Sequence, residues 1–273
     1  MKYKVLSIAG FDGSGGAGLQ ADLKTFSALG CYGMTVLTAL PVQNTTGVKV
    51  CYEIPLQSIT DQLKAIFEDI RPDAIKIGML FNAPIIEAVT QYLKVHAQGI
   101  PIVLDPVMMA KSGDPLLLPE AIDCLRTKLI PLTTILTPNL PEAQALIEKP
   151  VHSRDEMPSV ASALLELGPR AVLLKGGHLE GPQAADLFMD ANGSIHWLES
   201  PRIVTRNTHG TGCTLSAAIA ACLAQGMGLL ESCRLAKRYL TQALEAASHV
   251  KIGHGSGPVH HFYHLWPAID KIS

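Results

Sequence analysis

The segment Asn207-Thr-His-Gly-Thr-Gly-Cys213-Thr has residue types and spacing that speak most directly of chemistry. It is a glycine-rich turn running straight into an alanine-rich stretch, and it predicts a helix over Thr211–Gln225. At such a helix start the backbone N–H groups of Gly210, Thr211, Gly212 and Cys213 have no intrahelical acceptor. With the helix dipole they form a site for a phosphate, or for charge developing on one. Cys213 stands at the same terminus, where a thiol pKa is expected to fall from ~8.5 towards ~7 or lower. A thiolate there could take a proton from a hydroxyl as that oxygen attacks phosphorus. The plainer reading makes Cys213 a small packing residue and the glycines an ordinary turn. Cys222, inside the same helix, is read as the packing case.

Further candidates follow other apolar runs. Asn139-Leu-Pro-Glu142 sets an amide and a carboxylate three residues apart, either as a helix cap or as a pair holding Mg²⁺ through waters. Lys175, before Gly176-Gly177, either meets phosphate or faces solvent. Gly13 to Gly18 fits G-x-G-x-x-G, but a dinucleotide site wants an acidic residue ~20 positions later. No Asp or Glu occurs between Asp22 and Glu53, and Asp12 would set a negative charge beside the pyrophosphate. The glycines are instead read as letting the backbone approach a ligand closely, with Asp22 one turn into the helix that follows. P-loop and nucleophile-elbow patterns are absent from the sequence. His254, His260, His261 and His264 lack cysteine partners or a carboxylate pair and are not read as a metal site.

These residues need elements to position them. Strands are predicted at Val5–Ala9, Met34–Leu40, Ala74–Ile77, Ile102–Leu104, Ile135–Leu136 and Ala171–Leu174. Helices are predicted at Leu19–Leu29, Leu56–Ile70, from Pro84 to Ala97, from Pro141, and over Leu229–Val250. Ser153-x-x-Glu156 reads as a capping box opening a helix towards Leu167. Ala185–Met189 and Ile195–Leu198, split by Asn192-Gly193, read as a β-hairpin. Strands alternating with helices give a parallel sheet covered on both faces, and ligands then bind beyond the carboxyl ends of its strands.

Composition narrows the function classes. At 273 residues, with 48% hydrophobic and 17% charged, the chain can build a sizeable core and is not disordered. A net charge of -2 lacks the basic footprint of a nucleic-acid partner. The uncharged runs Thr25–Val48 and Asn207–Leu230 are broken by polar residues, so no membrane partner is expected. The N-terminal apolar stretch ends early, at Gly10 and Asp12, unlike a signal sequence. Six scattered cysteines without C-x-x-C suit a reducing, cytoplasmic setting. No linker-like stretch divides the chain, so residues 1–273 are read as one domain.

Taken together, the motifs resemble those of the hydroxymethylpyrimidine and phosphomethylpyrimidine kinases of thiamine synthesis, within the ribokinase-like superfamily. The carriers include Ser14–Asp22, Gln43-Asn-Thr, Lys76–Met79, Leu104-Asp105-Pro-Val-Met, Ala110–Asp114, Thr137–Glu142, Lys175–His178, Asn207–Cys213 and Gly253–His261. The resemblance implies a three-layer αβα sandwich with a mostly parallel central sheet, often a homodimer, using ATP and Mg²⁺. Phosphate would go to the hydroxymethyl group of 4-amino-5-hydroxymethyl-2-methylpyrimidine and then to the monophosphate, giving the diphosphate. Carried over by residue, Gln43 would pair with the aminopyrimidine edge, Met79 and Val107 would line the ring, and Gly10 and Asp22 would lie beside the substrate. Cys213 would be the base, with Gly210, Thr211 and Gly212 as the anion hole. Asp105 and Glu142 would sit around Mg²⁺, with Thr137, Asn139, Lys175 and Asp186 towards ATP. The loop Ala110–Asp114 would be a flap that excludes water.

Two alternatives stand beside this one. A pyridoxal-type vitamin B6 kinase shares the superfamily, although many relatives there carry Asp where this chain has Cys213. A catalytically silent pyrimidine-sensing module would not need Asp105, Glu142, Lys175 and Cys213.

Overall fold

The structure, a computed structural model, describes residues 2–110, 113–177, 179 and 181–266. The chain opens with β1 (Lys4–Ala9), α1 (Gly18–Ala28) and β2 (Tyr32–Leu37), in which β1 and β2 pair in parallel. The predicted strand Met34–Leu40 breaks at Thr38. Its N–H donates to Ala9 O (3.0 Å) and its hydroxyl to Met79 O (2.6 Å), which turns the chain out of the sheet. Beyond it β3 (Ala39–Asn44) and β4 (Gly47–Glu53) form a separate antiparallel ribbon that the sequence reading did not anticipate. Pro41 within β3 hides it, because a proline reads against a strand unless that strand is at an edge.

Next come α2 (Leu56–Asp69), β5 (Ala74–Ile77), α3 (Ala83–His96) and β6 (Ile102–Leu104). The predicted start of α3 is correct in kind: Asn82 caps it through Ile85 N (3.1 Å), with Pro84 in the first turn. Residues Pro119–Leu132 form an irregular helical run around one α turn, α4 (Ile122–Cys124), closed by a tight turn at Ile130–Leu132. No element was predicted there. Pro131 interrupts a buried spacing (Ala121, Cys124, Leu125, Leu129, Ile130) that is otherwise helical.

After β7 (Ile135–Leu136) come α5 (Leu140–Ile147) and α6 (Met157–Leu165). Ser153 does not cap α6. Glu156 Oε2 accepts from the N–H groups of His152 and Ser153 (2.7 and 3.2 Å), and the helix begins only at Met157, where Pro158 fits the first turn. The chain ends with β8 (Ala171–Lys175), the predicted hairpin β9 (Gln183–Asp190) and β10 (Ile195–Pro201), then α7 (Thr211–Ala224) and α8 (Leu229–Ala247).

The main sheet has the order β10-β9-β8-β7-β6-β5-β1-β2, parallel from β2 to β8 and antiparallel at β9 and β10. Strand alternation sorts its side chains into two cores. Leu6, Ile8, Ile75, Ile77 and Leu104 pack with residues of α2, α3, α5 and α6, among them Ile59, Leu63, Ile86, Leu146 and Val160. Val5, Ala74, Val103 and Leu173 pack on the opposite side with Phe26 of α1, Leu215 of α7 and Tyr239 of α8. The result is the expected αβα sandwich. The strand order reverses direction between β1 and β5, so the crevice beyond their carboxyl ends is where such sheets receive ligands. Among the described residues no helix is long and apolar enough to cross a membrane.

Candidate active site

The N-terminus of α7 meets the loop after β1 through glycines that admit no side chain. Gly210 has φ +75°, and a Cβ on it would lie 1.8 Å from Gly16 O. Gly18 has φ +54°, and a Cβ there would lie 2.4 Å from Gly10 O. The α7 turn and the loop after β1 meet backbone to backbone at Gly210 and Gly16, and Gly18 lets the β1 loop fold tightly onto Gly10. Asp12 fixes the first loop. It is fully buried, and its carboxylate accepts from Ser14 N and Oγ (2.9 and 2.7 Å), Gly16 N (3.0 Å), Ala17 N (2.7 Å) and His209 Nε2 (2.8 Å). Burial alone would raise its pKa, but the bonds from His209 and Ser14 and the His209 charge hold it at about 2. Asp12 and His209 escaped the sequence reading as a pair, since 197 positions separate them. Of the four N–H groups expected to point outward, Thr211 turns its own back to Thr208 O (3.4 Å).

Beneath this mouth lies a buried ion pair. Lys76 Nζ donates to Asp22 Oδ2 at 2.8 Å with both side chains fully buried, and Ser7 Oγ donates to the same oxygen (2.5 Å). Asp22 Oδ1 has no hydrogen-bond partner among the described residues. Burial pushes the Asp22 carboxyl up, against Lys76, and Asp22 and Asp105 together hold Lys76 above the ordinary lysine range despite its burial.

Cys213 occupies the third position of α7. The expected fall of its pKa towards 7 is not what the surroundings produce. Burial pushes the thiol up to about 11; Lys76 and the Gly18 N–H pull down, and Asp22 and Asp105 push up. Desolvation outweighs the helix terminus, and the two carboxylates act in the same direction.

At the ends of β6 and β8 a second cluster forms. Lys175 Nζ donates to Asp105 Oδ1 (2.7 Å) and stands 3.8 Å from Glu142 Oε2. These two carboxylates keep Lys175 above its usual range although burial acts the other way. Glu142 is pushed up to about 7, by burial first and by Asp105, against the pull of Lys175. It also completes a capping box with Asn139, so the capping alternative for Asn139-Leu-Pro-Glu142 is realised without moving either residue from the cluster. Thr137 is fully buried, with its N–H on Leu104 O (2.9 Å). Gly212 ties the cluster to α7: a Cβ on it would lie 3.2 Å from Asp105 Oδ2 and 3.3 Å from Lys175 Nζ. Asp186 stands apart in its bonding. It accepts from Lys237 Nζ (2.7 Å) and Gly176 N (3.0 Å), binding α8 to the sheet.

On the other flank, Gln43 donates from Nε2 to Phe11 O (3.1 Å) at an irregularity in the ribbon between Val42 and Gln43. Met79 is buried beside Gly10, where a Cβ would come within 2.9 Å of its Sδ. Val107 is half-buried and donates its N–H to Asp105 O (2.8 Å). Of the expected flap Ala110–Asp114, Lys111 and Ser112 lie outside the described residues. Its ends close a turn (Ala110 N to Asp114 O, 2.7 Å), and Asp114 Oδ2 accepts from Val48 N of the ribbon (3.1 Å).

Among the described residues no three His, Cys, Asp or Glu side chains are grouped to hold a metal on their own. Asp105 and Glu142, both reaching Lys175, still suit Mg²⁺, a hard ion that takes one or two carboxylates and completes its shell with water and phosphate oxygens.

Known proteins resemble this chain over most of its length. The family model described as phosphomethylpyrimidine kinase matches residues 12–260. A hydroxymethylpyrimidine/phosphomethylpyrimidine kinase of Salmonella typhimurium is 50% identical over 97% of this chain and 99% of its own. A thiamine biosynthesis bifunctional protein, ThiED, of Geobacter sulfurreducens is 46% identical over 94% of this chain and 52% of its own. Among solved structures, an ADP complex of Bacillus subtilis pyridoxal kinase superposes with a TM-score of 0.88 at 38% identity, covering 96% of this chain and 98% of that one.

Proposed function

The chain belongs to the phosphomethylpyrimidine kinase family, and from that premise we infer that it phosphorylates 4-amino-5-hydroxymethyl-2-methylpyrimidine and then the monophosphate, with ATP as donor, in thiamine diphosphate synthesis. The observation that carries this to the site is the closeness of the α7 terminus to the Asp105–Lys175 pair, with only Gly212 between them.

Phosphoryl transfer asks for in-line positioning and charge stabilisation more than for covalent chemistry. The N–H groups of Gly210, Gly212 and Cys213 would face the moving phosphoryl group, while the left-handed turn at Gly210 holds Thr211 and the helix start in place. Losing one oriented donor of this kind costs about 3 kcal/mol, a hundredfold in rate. Lys175, Thr137, Asn139 and Asp186 would lie on the nucleotide side. Asp105 and Glu142 would hold Mg²⁺, which when bound neutralises phosphate oxygens.

On the acceptor side an amide suits an aminopyrimidine edge because it both donates and accepts, and Gln43 is the amide available. Met79 and Val107 would line the ring. Gly10 leaves the space that its neighbour Met79 would otherwise lose. The unpartnered Asp22 Oδ1 would accept from the substrate. Cys213 would take the hydroxyl proton, and Lys76 beneath it favours the ionised sulfur.

The Ala110–Asp114 flap would shield the transfer from water. We read residues 1–273 as one domain acting in the cytoplasm as a homodimer. The six free thiols suit a reducing compartment. The ribbon face carrying exposed Val42, Val50 and Tyr52 offers apolar surface for a second copy.

A competition assay tests the reading. The purified chain is given MgATP with the aminopyrimidine alcohol and pyridoxal together, and products are resolved by mass spectrometry. Pyrimidine monophosphate followed by diphosphate is the expected outcome. The superposition on pyridoxal kinase favours one second reading, and pyridoxal phosphate as the main product would establish it. Absence of product from either alcohol would sink the kinase reading.

A further inference from the structure

The motif Gly253-His-Gly-Ser-Gly-Pro258 has no part in the chemistry above, yet its glycines are pressed against two parts of the site. A Cβ on Gly255 would lie 1.9 Å from Thr45 O and 2.9 Å from Thr46 Cα. A Cβ on Gly253 would lie 2.2 Å from Thr45 Oγ1, and one on Gly257 would lie 2.0 Å from Asn207 Oδ1. Hydrogen bonds lock the same contacts. Gly255 N donates to Thr45 Oγ1 (3.2 Å) and Ser256 N to Thr45 O (2.9 Å). His209 N donates to Gly257 O (3.0 Å), and Asn207 Nδ2 donates to Val250 O (2.7 Å).

Thr45 is the turn of the β3–β4 ribbon, two residues beyond Gln43. Asn207 and His209 lie in the turn that starts α7. The segment therefore joins the ribbon carrying the acceptor contact to the terminus proposed to receive the phosphoryl group, and at Gly255 the junction is backbone against backbone.

We propose that Gly253–Pro258 is a positioning strap that sets the ribbon, and Gln43 with it, at a fixed distance from the α7 terminus, so that it governs recognition of the pyrimidine and not of the nucleotide. The proposal rests on the kinase reading above. Because Gly255 meets a backbone carbonyl, a methyl group there must displace the Thr45 turn and not merely a rotamer. The displacement passes along two residues to Gln43. The Asp105–Lys175 cluster, seated on the rigid ends of β6 and β8, stays where it is.

The test is steady-state kinetics on Gly255→Ala and Thr45→Val, with Gln43→Ala as reference, joined to amide hydrogen exchange over Ala39–Glu53. Thr45→Val removes the hydroxyl acceptor and keeps the side-chain shape, so it decides the matter if Gly255→Ala does not fold. Both variants should raise KM for the aminopyrimidine alcohol, about tenfold for Gly255→Ala and about threefold for Thr45→Val, by analogy with one lost or strained hydrogen bond. KM for ATP should stay within twofold, and exchange should quicken in the ribbon but not in β5 or β6. A purely structural role would lower the melting temperature and active fraction with both KM values unmoved, and that result overturns the proposal. Equal rises in both KM values also overturn it. If Gln43→Ala alone leaves the pyrimidine KM unchanged, the assignment of Gln43 fails while the strap is still judged by its own two variants.

Discussion

Lys175 Nζ lies 2.7 Å from Asp105 Oδ1, joining the ends of β8 and β6 by an ion pair that is nearly closed to solvent. Two strands apart in the sheet, these residues reach each other across the chain that leaves β7, where the Thr137 hydroxyl lies beside the same carboxylate. The pair balances two charges that are taken almost wholly out of water.

Lys175→Met should therefore harm stability and rate by separable routes. Removing one partner of a buried pair costs about 3–5 kcal/mol because the other charge is stranded. Asp105→Asn in the same chain should return most of that stability in urea denaturation while kcat stays at least a hundredfold down. Recovery of kcat along with stability would remove both Lys175 and Asp105 from their proposed parts in the transfer.

Glu142 gives a prediction about pH. Its carboxyl is raised from 4.5 to about 7, so between those values the folded state binds more protons than the unfolded one. Stability must then fall as pH rises through that window and stay lower above it, by about 3 kcal/mol at most for the ligand-free protein. Asp12, held at about 2, acts with the opposite sign and only in acid, where its contribution is lost as pH drops below 3.8. Glu142→Gln keeps an oxygen to accept from Asn139 N, and should flatten the pH 4.5–7 slope of the denaturation midpoint. An unchanged slope would assign the effect to another group.

Much of this site was legible in the sequence because it is local. The Gly-Thr-Gly-Cys213 turn, the Asn139–Glu142 spacing and Lys175 each announce themselves within a few residues, and each lies where a strand or helix end was expected. What stayed hidden is long-range. Lys76 looks like one lysine in a short apolar strand until β5 alternation turns it inward onto Asp22, 54 positions away. The β3–β4 ribbon was hidden by Pro41 and by continuous apolar character through Thr38. The Cys213 pKa was misjudged because helix position is visible in sequence, whereas the two neighbouring carboxylates and the burial are properties of the packed site.

Gln43→Ala should separate acceptor from donor recognition. An amide lost from a pyrimidine edge removes one or two hydrogen bonds of ~1 kcal/mol each, so KM for the alcohol should rise about five- to thirtyfold. KM for ATP should move less than twofold. Equal movement of both would misplace this residue.

Cys213 permits a prediction that divides the two proposed transfers. In the first, the acceptor is an alcohol and must lose a proton as it attacks, so a base matters and is worth about 10²–10⁴ in rate. In the second, the acceptor is a phosphate monoester whose oxygens are already largely ionised at neutral pH, with a second pKa of about 6. Cys213→Ala should thus abolish the first transfer almost completely while the second falls by no more than about tenfold, and binding of the pyrimidine alcohol in the absence of ATP should persist. Because the thiol rests near 11, the wild-type first-step rate should climb with pH above neutrality, up to tenfold per unit while ionisation of the sulfur limits it. In Cys213→Asp that climb should level off far below the wild-type limit, since a carboxyl raised by the same burial and neighbours still ionises well before the thiol. Single-turnover measurements with each acceptor, between pH 6 and pH 10, read both effects at once. Equal loss of the two transfers, or a flat wild-type profile, would remove the sulfur from its role as base.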